Sequence, residues 1–296
     1  MRALVTGASG QLGTAVLRRH PDSVGVGRAQ VDLAKVTRDD IADLIGAHDP
    51  DIVINTAAYT KVDLAESEPE VAERVNARAV GRLAEVCARL GKPFVTYSTD
   101  YVFDGTSTTP YFESARRNPL SVYGRTKASG EDAALEAHPD SLVIRTSWLL
   151  SSTHRNFVTV MLDRARSGEL KVVEDQIGRP TAADDLAMAT DHAINKGVSG
   201  LLHLTNRGHP TSWFGLAREI VGLGGMDPDL VSPCATLEYP TAAVRPAYSV
   251  LESEIDDVDD TWLPPWEEML PDLVAAQRDQ LPEPRVEDTA RRTSPP

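Results

Sequence analysis

The chain has 296 residues, 41% of them hydrophobic and 25% charged, which suits a water-soluble protein with a sizeable core in one large or two modest domains. Its 44 acidic against 30 basic side chains leave a net charge of −14. That balance argues against a nucleic-acid or anionic-membrane partner, which would need a basic face, and no apolar run reaches bilayer-spanning length.

Arg2 to Thr6 is a short apolar, β-prone run, and the helical pattern of residues 14–19 follows soon after. Because the chain enters a core strand directly, no signal peptide is expected, and the expected location is cytoplasmic. Between strand and helix stands Gly7-Ala8-Ser9-Gly10-Gln11-Leu12-Gly13, a Gly-x-x-Gly-x-x-Gly turn in the setting of a dinucleotide fingerprint. Gly7 allows the tight turn, Gly10 lets backbone approach a pyrophosphate, and Gly13 allows close helix–strand packing. The helix N-terminus then offers free N–H groups to phosphate. A second strand over 24–27 ends in Arg28 with no acidic residue, where a planar cation could grip a 2′-phosphate; a merely solvated arginine is the competing reading.

Residues 38–48 read as a helix, 51–55 as a strand and 69–90 as one long amphipathic helix with Val71, Val75, Ala79, Leu83, Val86 and Leu90 at helical spacing. Strands are expected at 94–98 and 141–145, with a helix over 126–137 between them. Alternating strands and helices predict a doubly wound α/β fold of Rossmann type, its parallel sheet covered on both faces. After Trp148 the pattern loosens into helices over 157–166, 183–195, 213–223 and 264–280, with short strands over 170–173 and 200–204. The expected organisation is a dinucleotide domain over 1–148 with a return segment near 176–204, a smaller α/β substrate domain over 149–281, and a disordered tail over 282–296. The acidic run 255–260 is expected to be a solvated surface. Cys87 and Cys234 stand in no metal spacing, the seven histidines hold no His-x-x-x-His pair, and no required metal is expected.

Tyr123 and Lys127 are one helical turn apart, so their side chains share a face. A phenol titrates near ~10 and is a poor acid or base at neutrality. A neighbouring ammonium favours its ionised form and brings it toward the working range. The pair alone is weak, and the motifs around it give it weight. Thr99, at a strand end, could reach the same pocket or merely cap a turn.

These residues resemble the extended short-chain dehydrogenase/reductases and, within them, the dTDP-4-dehydrorhamnose reductases. The resemblance runs from residue 1 to about 280 and rests on Gly10-Gln11-Leu12-Gly13, Asn55 to Thr60 with Val62-Asp63, Ala65 to Glu68, Tyr97 to Gly105, Arg145 to Trp148, Asn156-Phe157, Asp175 to Thr181, and Arg245-Pro246 with Ser249. It implies reduction of the 4-keto group of a dTDP-linked 6-deoxyhexulose, with NADPH preferred and NADH also accepted. By that resemblance Tyr123 is the proton donor, Lys127 lowers its pKa and holds the nicotinamide ribose, and Thr99 hydrogen-bonds the reacting oxygen. Cofactor contacts are implied at Gly7, Gly10, Gln11, Leu12, Gly13, Arg28, Asp32, Leu33, Ala57, Ala58, Tyr59, Thr60, Ser98, Tyr123 and Lys127. Asp32 could equally be the N-cap of a helix that follows it, and the two roles are compatible. Substrate contacts are implied at Val62, Thr99, Asp100, Phe103, Trp148, Asn156 and Arg179. Three departures from the family pattern, Ala115-Arg116-Arg117, Ser121 and Leu149-Leu150, are expected to flank the sugar pocket and leave the sugar open. Some members bind magnesium between subunits; Ala15 stands where an acidic residue would help. The competing readings are an epimerase or dehydratase, disfavoured because Tyr101 follows Asp100 where a dehydratase wants an acid, and a non-catalytic regulatory subunit like the methionine adenosyltransferase β subunit. Monomer and homodimer both stay open.

Overall fold

The computed structural model describes residues 1–255, 258 and 261–281. The proposed tail over 282–296 and most of the acidic run 255–260 lie outside the described residues. The elements come in the order β1 (Ala3–Thr6), α1 (Gln11–Arg19), β2 (Val24–Val26), α2 (Arg38–His48), β3 (Ile52–Asn55), α3 (Val62–Ala65) and α4 (Pro69–Glu73). A π-helical segment, Arg74–Arg78, joins α4 to α5 (Ala79–Arg89). Then follow β4 (Phe94–Thr99), α6 (Val122–Ala137), β5 (Leu142–Thr146), β6 (Leu149–Leu150), α7 (Phe157–Ser167), β7 (Leu170–Val173), β8 (Ile177–Gly178) and β9 (Thr181–Ala182). The last are α8 (Ala183–Asn195), β10 (Gly200–His203), β11 (Thr211–Ser212), α9 (Trp213–Leu223), β12 (Val231–Cys234) and α10 (Trp266–Gln280).

Six strands form one parallel sheet in the order β10-β5-β4-β3-β1-β2. The order reverses at β1, which lies between β2 and β3, and such a switch point opens a crevice at the carboxyl ends of the strands. Both faces are buried, and side chains alternate between them with period two. Ala3, Val5, Ile52, Ile54, Val95 and Ile144 pack under α1 and α8, while Leu4, Val53, Phe94 and Val143 pack under α2, α5 and α6. A separate apolar cluster gathers Leu150, Val158, Leu162, Leu216, Ile220, Leu270 and Val274 from β6, α7, α9 and α10.

Two differences from the sequence reading bear on the cleft. The helix expected at 126 begins at Val122, because the Ser121 hydroxyl accepts from the Gly124 N–H and caps it. Tyr123 and Lys127 therefore both lie inside α6. The long helix 69–90 is continuous in path but widens to a π turn at its middle. That bulge carries Asn76, 1% exposed, whose amide accepts from Tyr59 N (2.8 Å) and donates to Tyr59 O (3.1 Å) and Thr126 Oγ1 (3.2 Å). A π bulge is costly unless something holds it, and here three polar groups do. Hydrophobic periodicity carries no sign of it.

Candidate active site

A cavity of about 700 Å³ lies along the carboxyl ends of the sheet strands. At one end β1 runs into the glycine turn. Gly7 has φ of +72°, and a Cβ there would stand 2.6 Å from Ala57 N, so only glycine fits between the two loops. Gly13 does not line the cavity. A Cβ on it would lie 2.3 Å from Gly7 O, so it lets α1 close against the turn itself, not the strand. Gly7, Gly10, Gln11 and Leu12 line the cleft, and α1 presents its N-terminus there. A turn that any side chain would fill, beside a cavity of this size, fits a dinucleotide diphosphate.

Beyond the turn, Arg28, Asp32 and Leu33 line one end of the cavity. Arg28 Nε stands 3.8 Å from Asp32 Oδ1 with its side chain 83% exposed. Asp32 Oδ1 also accepts from Ala34 N (3.1 Å), which closes a turn and caps no helix; the N-cap of α2 is Thr37. Ala57, Ala58, Tyr59 and Thr60 follow β3 along the wall, with the Tyr59 backbone clasped by Asn76. Val62 and Ser98 line it as well.

The chemical end is built by β4 and α6. Burial pushes the Tyr123 phenol up to about 12; the Thr99 hydroxyl opposes this and the nearby Asp100 carboxylate adds to it. Thr99 Oγ1 accepts from Tyr101 N (3.2 Å) and lies 2.9 Å from Asp100 Oδ1, so its single proton can go to the carboxylate or to the phenol oxygen. Asp100 is 2% exposed, and burial lifts its carboxyl to about 6, opposed by the nearby hydroxyls of Ser249 and Thr99; its Oδ1 accepts from Thr99, and its Oδ2 is buried without a hydrogen-bond partner. Lys127, 4% exposed, donates its ammonium to the Tyr97 carbonyl. Burial lowers it to about 8, and Glu131 one turn further along α6 raises it. The hydrogen bond of the ammonium goes to Tyr97 O, so any support it gives a phenolate at Tyr123 is through its charge and not through a bond. Glu131 is itself held by Arg145 (2.8 and 2.7 Å) and Arg117 (3.0 Å), and Ser98 Oγ donates to it.

Three residues expected at the substrate stand elsewhere. Phe103 is fully buried and stacked on Tyr111, centroids 4.2 Å apart. The 3₁₀ turn Asp100–Val102 breaks strand alternation, so Tyr101 faces the cleft and Phe103 turns into the core. Arg179, 6% exposed, lies outside the cleft wall, where its Nη1 reaches Leu251 O (3.2 Å) and Glu252 (3.6 Å) and its Nε is buried without a hydrogen-bond partner. Asn156 caps α7 and donates to Gln11, Ser151 and His154. Of the three departures, Arg117 belongs to the Glu131 cluster and Ser121 to the α6 cap, so neither flanks the cleft; Leu149 lines it.

Trp148 does line the cleft, in a left-handed backbone conformation with φ of +46° that a bulky residue rarely adopts. Its ring stacks on Trp213 at 3.6 Å and 10°. Trp213, Tyr101, His154 and Arg155 are lining residues that motif matching left out. Tyr101 meets Tyr123 edge-on at 5.7 Å. Trp213 also borders a second cavity of about 270 Å³, whose wall includes Phe157, Lys171, Tyr239 and Arg245. Arg245 is paired with Asp63 (2.7 Å), tying the two halves of the cleft together. Among the described residues no three His, Cys, Asp or Glu side chains converge as a metal-ligand set, and no helix is long and apolar enough to cross a membrane.

Comparison with known proteins agrees with this architecture. Residues 1–278 match the family model described as RmlD substrate binding domain. The dTDP-4-dehydrorhamnose reductase of Burkholderia thailandensis is 41% identical over 86% of this chain and 91% of its own length. A probable dTDP-4,6-dihydroxy-2-methyloxan-3-one 4-ketoreductase of Streptomyces antibioticus is 40% identical over 94% and 97%. The crystal structure of dTDP-4-dehydrorhamnose reductase from Bacillus anthracis in complex with NADP superposes with a TM-score of 0.87 at 33% identity, covering 93% of this chain and 98% of that one.

Proposed function

The chain belongs to the family of the RmlD substrate binding domain, and from that membership we propose that it is an NADPH-dependent reductase of the 4-keto group of a dTDP-4-keto-6-deoxyhexose, serving synthesis of dTDP-L-rhamnose or a related deoxysugar. The observation that carries this reading is that Tyr123 and Lys127, one helical turn apart on α6, line with Thr99 the end of a cleft that opens on a glycine turn.

A nicotinamide bound in the cleft supplies hydride to the carbonyl carbon. The remaining work falls to side chains. Tyr123 keeps its proton at neutral pH and gives it to the carbonyl oxygen as charge develops there. Thr99 turns its proton from Asp100 toward that oxygen or toward the nascent phenolate. Lys127 sets a buried positive charge one turn below the phenol, where it stabilises the phenolate only as it forms. Arg28 favours NADPH over NADH. The sugar nucleotide runs past Trp148 and Trp213 toward the second cavity, whose aromatic and cationic walls suit a nucleoside diphosphate. The chain folds as two parts, a dinucleotide domain over 1–148 joined by the return segment near 176–204, and a substrate domain formed mainly by 149–281. A dehydratase reading lacks support, since Tyr101 holds the place beside Tyr123 where a second acid would be needed.

The test is steady-state oxidation of NADPH with the dTDP-4-keto-6-deoxy sugar for the wild type and Tyr123→Phe. The wild type turns over and the variant loses at least ~100-fold, the scale of a general acid. Near-normal turnover by Tyr123→Phe would overturn the assignment.

A further inference from the structure

The segment from Leu149 to Asn156 joins β6 to α7 and crosses beside the glycine turn, and side-chain amides fasten it from both sides. From the turn, Gln11 Oε1 accepts from Ser151 Oγ (2.9 Å) and Asn156 Nδ2 (3.2 Å), while Gln11 Nε2 donates to Leu149 O (3.4 Å). From behind, Gln277 of α10, 2% exposed, donates to the carbonyls of Ser151 and His154, both at 2.8 Å, and Gln280 donates to Ser152 O (2.7 Å). An irregular loop ordinarily satisfies its carbonyls with water; here they are taken by protein, which fixes the backbone. The His154 ring then meets Ser9 O at 3.0 Å, so the loop touches the glycine turn directly.

What this rigid segment presents to the cleft is His154 and Arg155, both in the cavity wall with Ser9, Gly10 and Gln11. The first turn of α1 brings no basic side chain to the phosphate site, only backbone N–H groups. In a chain of net charge −14, a dianionic diphosphate at that turn needs a cation from another element. Arg155 pairs with Asp163 at 2.6 Å, but the two side chains are 65% and 33% exposed, so water screens the pair and exchanging it for phosphate oxygens costs little. A guanidinium fork suits two phosphate oxygens at once.

We propose that residues 151–156 form a second wall of the cofactor site, in which Arg155 binds the cofactor diphosphate and His154 fastens that wall to the glycine turn. The proposal rests on the dinucleotide reading of the cleft but assigns part of the cofactor's affinity to the carboxyl-terminal half of the chain.

The test measures binding and not turnover. Dissociation constants for NADPH and for ADP-ribose are measured on the full chain as wild type, Arg155→Ala and Arg155→Lys, at low and moderate salt. Arg155→Ala weakens both ligands about tenfold, in line with the loss of a charged hydrogen bond. Arg155→Lys recovers most of that loss, the difference shrinks with salt, and the thermal midpoints of all three proteins agree. Equal affinity of Arg155→Ala and wild type for both ligands overturns the proposal. So does a loss that arrives with a lowered thermal midpoint and that lysine does not recover, because the side chain would then only support the loop. If the wild type itself binds neither ligand, the dinucleotide reading fails, and this outcome is distinct from a failure of Arg155.

Discussion

Replacing Lys127 with methionine should leave the protein at least as stable and nearly inactive. The ammonium is 4% exposed, and burial brings it from the ordinary 10.5 to about 8. That change corresponds to a charged form destabilised by roughly 3 kcal/mol at neutral pH. Methionine has nearly the same length, fills the same space and carries no charge. It forfeits the charged hydrogen bond to Tyr97 O, worth roughly 1.5–3 kcal/mol, and leaves Glu131 with its two arginine partners. The net expectation for Lys127→Met is a gain of ~0–1.5 kcal/mol at neutral pH, read by urea denaturation at constant m. The sign with pH follows from a folded value below the unfolded one. Between about pH 8 and 10.5 the unfolded chain holds the extra proton, so wild-type stability should rise through that window, and Lys127→Met should lack this rise. Turnover of the variant should fall at least ~100-fold, because the phenolate formed at Tyr123 loses its buried counter-charge. A variant destabilised by more than about 1 kcal/mol, or a wild type with no such rise, would refute the reasoning that the fold holds this ammonium at a cost.

Two further outcomes follow from the two ends of the cleft. A Cβ at Gly178 would lie 2.5 Å from the Trp148 ring, so Gly178→Ala should displace Trp148 from its stack on Trp213, change the intrinsic fluorescence, and raise KM for the sugar nucleotide while leaving the NADPH dissociation constant unchanged. Arg28→Ala should reduce the ratio of kcat/KM for NADPH over NADH about tenfold, and an unchanged ratio in steady-state kinetics with both cofactors would remove Arg28 from the 2′-phosphate site.

The parallel sheet was legible because a strand buried on both faces reads as an unbroken apolar run, and the helices between them carry a clear 3.6 period. The cleft was legible where backbone geometry fixes residue type, as at Gly7, or where spacing fixes a shared face, as at Tyr123 and Lys127. Motif matching was less reliable on side-chain direction. Tyr101 and Phe103 belong to one motif, yet a single 3₁₀ turn sends one to the cleft and the other to the core. Arg179 was misplaced because a buried arginine with backbone and carboxylate partners reads the same as a ligand arginine until those partners are seen. The π segment around Asn76 and the amide clasp from Gln277 to residues 151–154 rest on contacts between distant parts of the chain, which no local pattern encodes. Spacing on one helix face also leaves a side chain's own partner open: α6 directs the Lys127 ammonium to the Tyr97 carbonyl, a contact that only the folded sheet supplies.

Hydride delivery to a sugar carbonyl is tested most directly by isotope transfer. The protein is incubated with the dTDP-4-keto-6-deoxy sugar and NADPH carrying deuterium at nicotinamide C4, and the product is examined by NMR. One deuterium at C4 of a 4-hydroxy-6-deoxyhexose nucleotide, formed as NADPH is oxidised, is the predicted result. A sugar recovered unreduced, although both ligands bind, would contradict the account and leave the chain a binding protein built on a reductase fold.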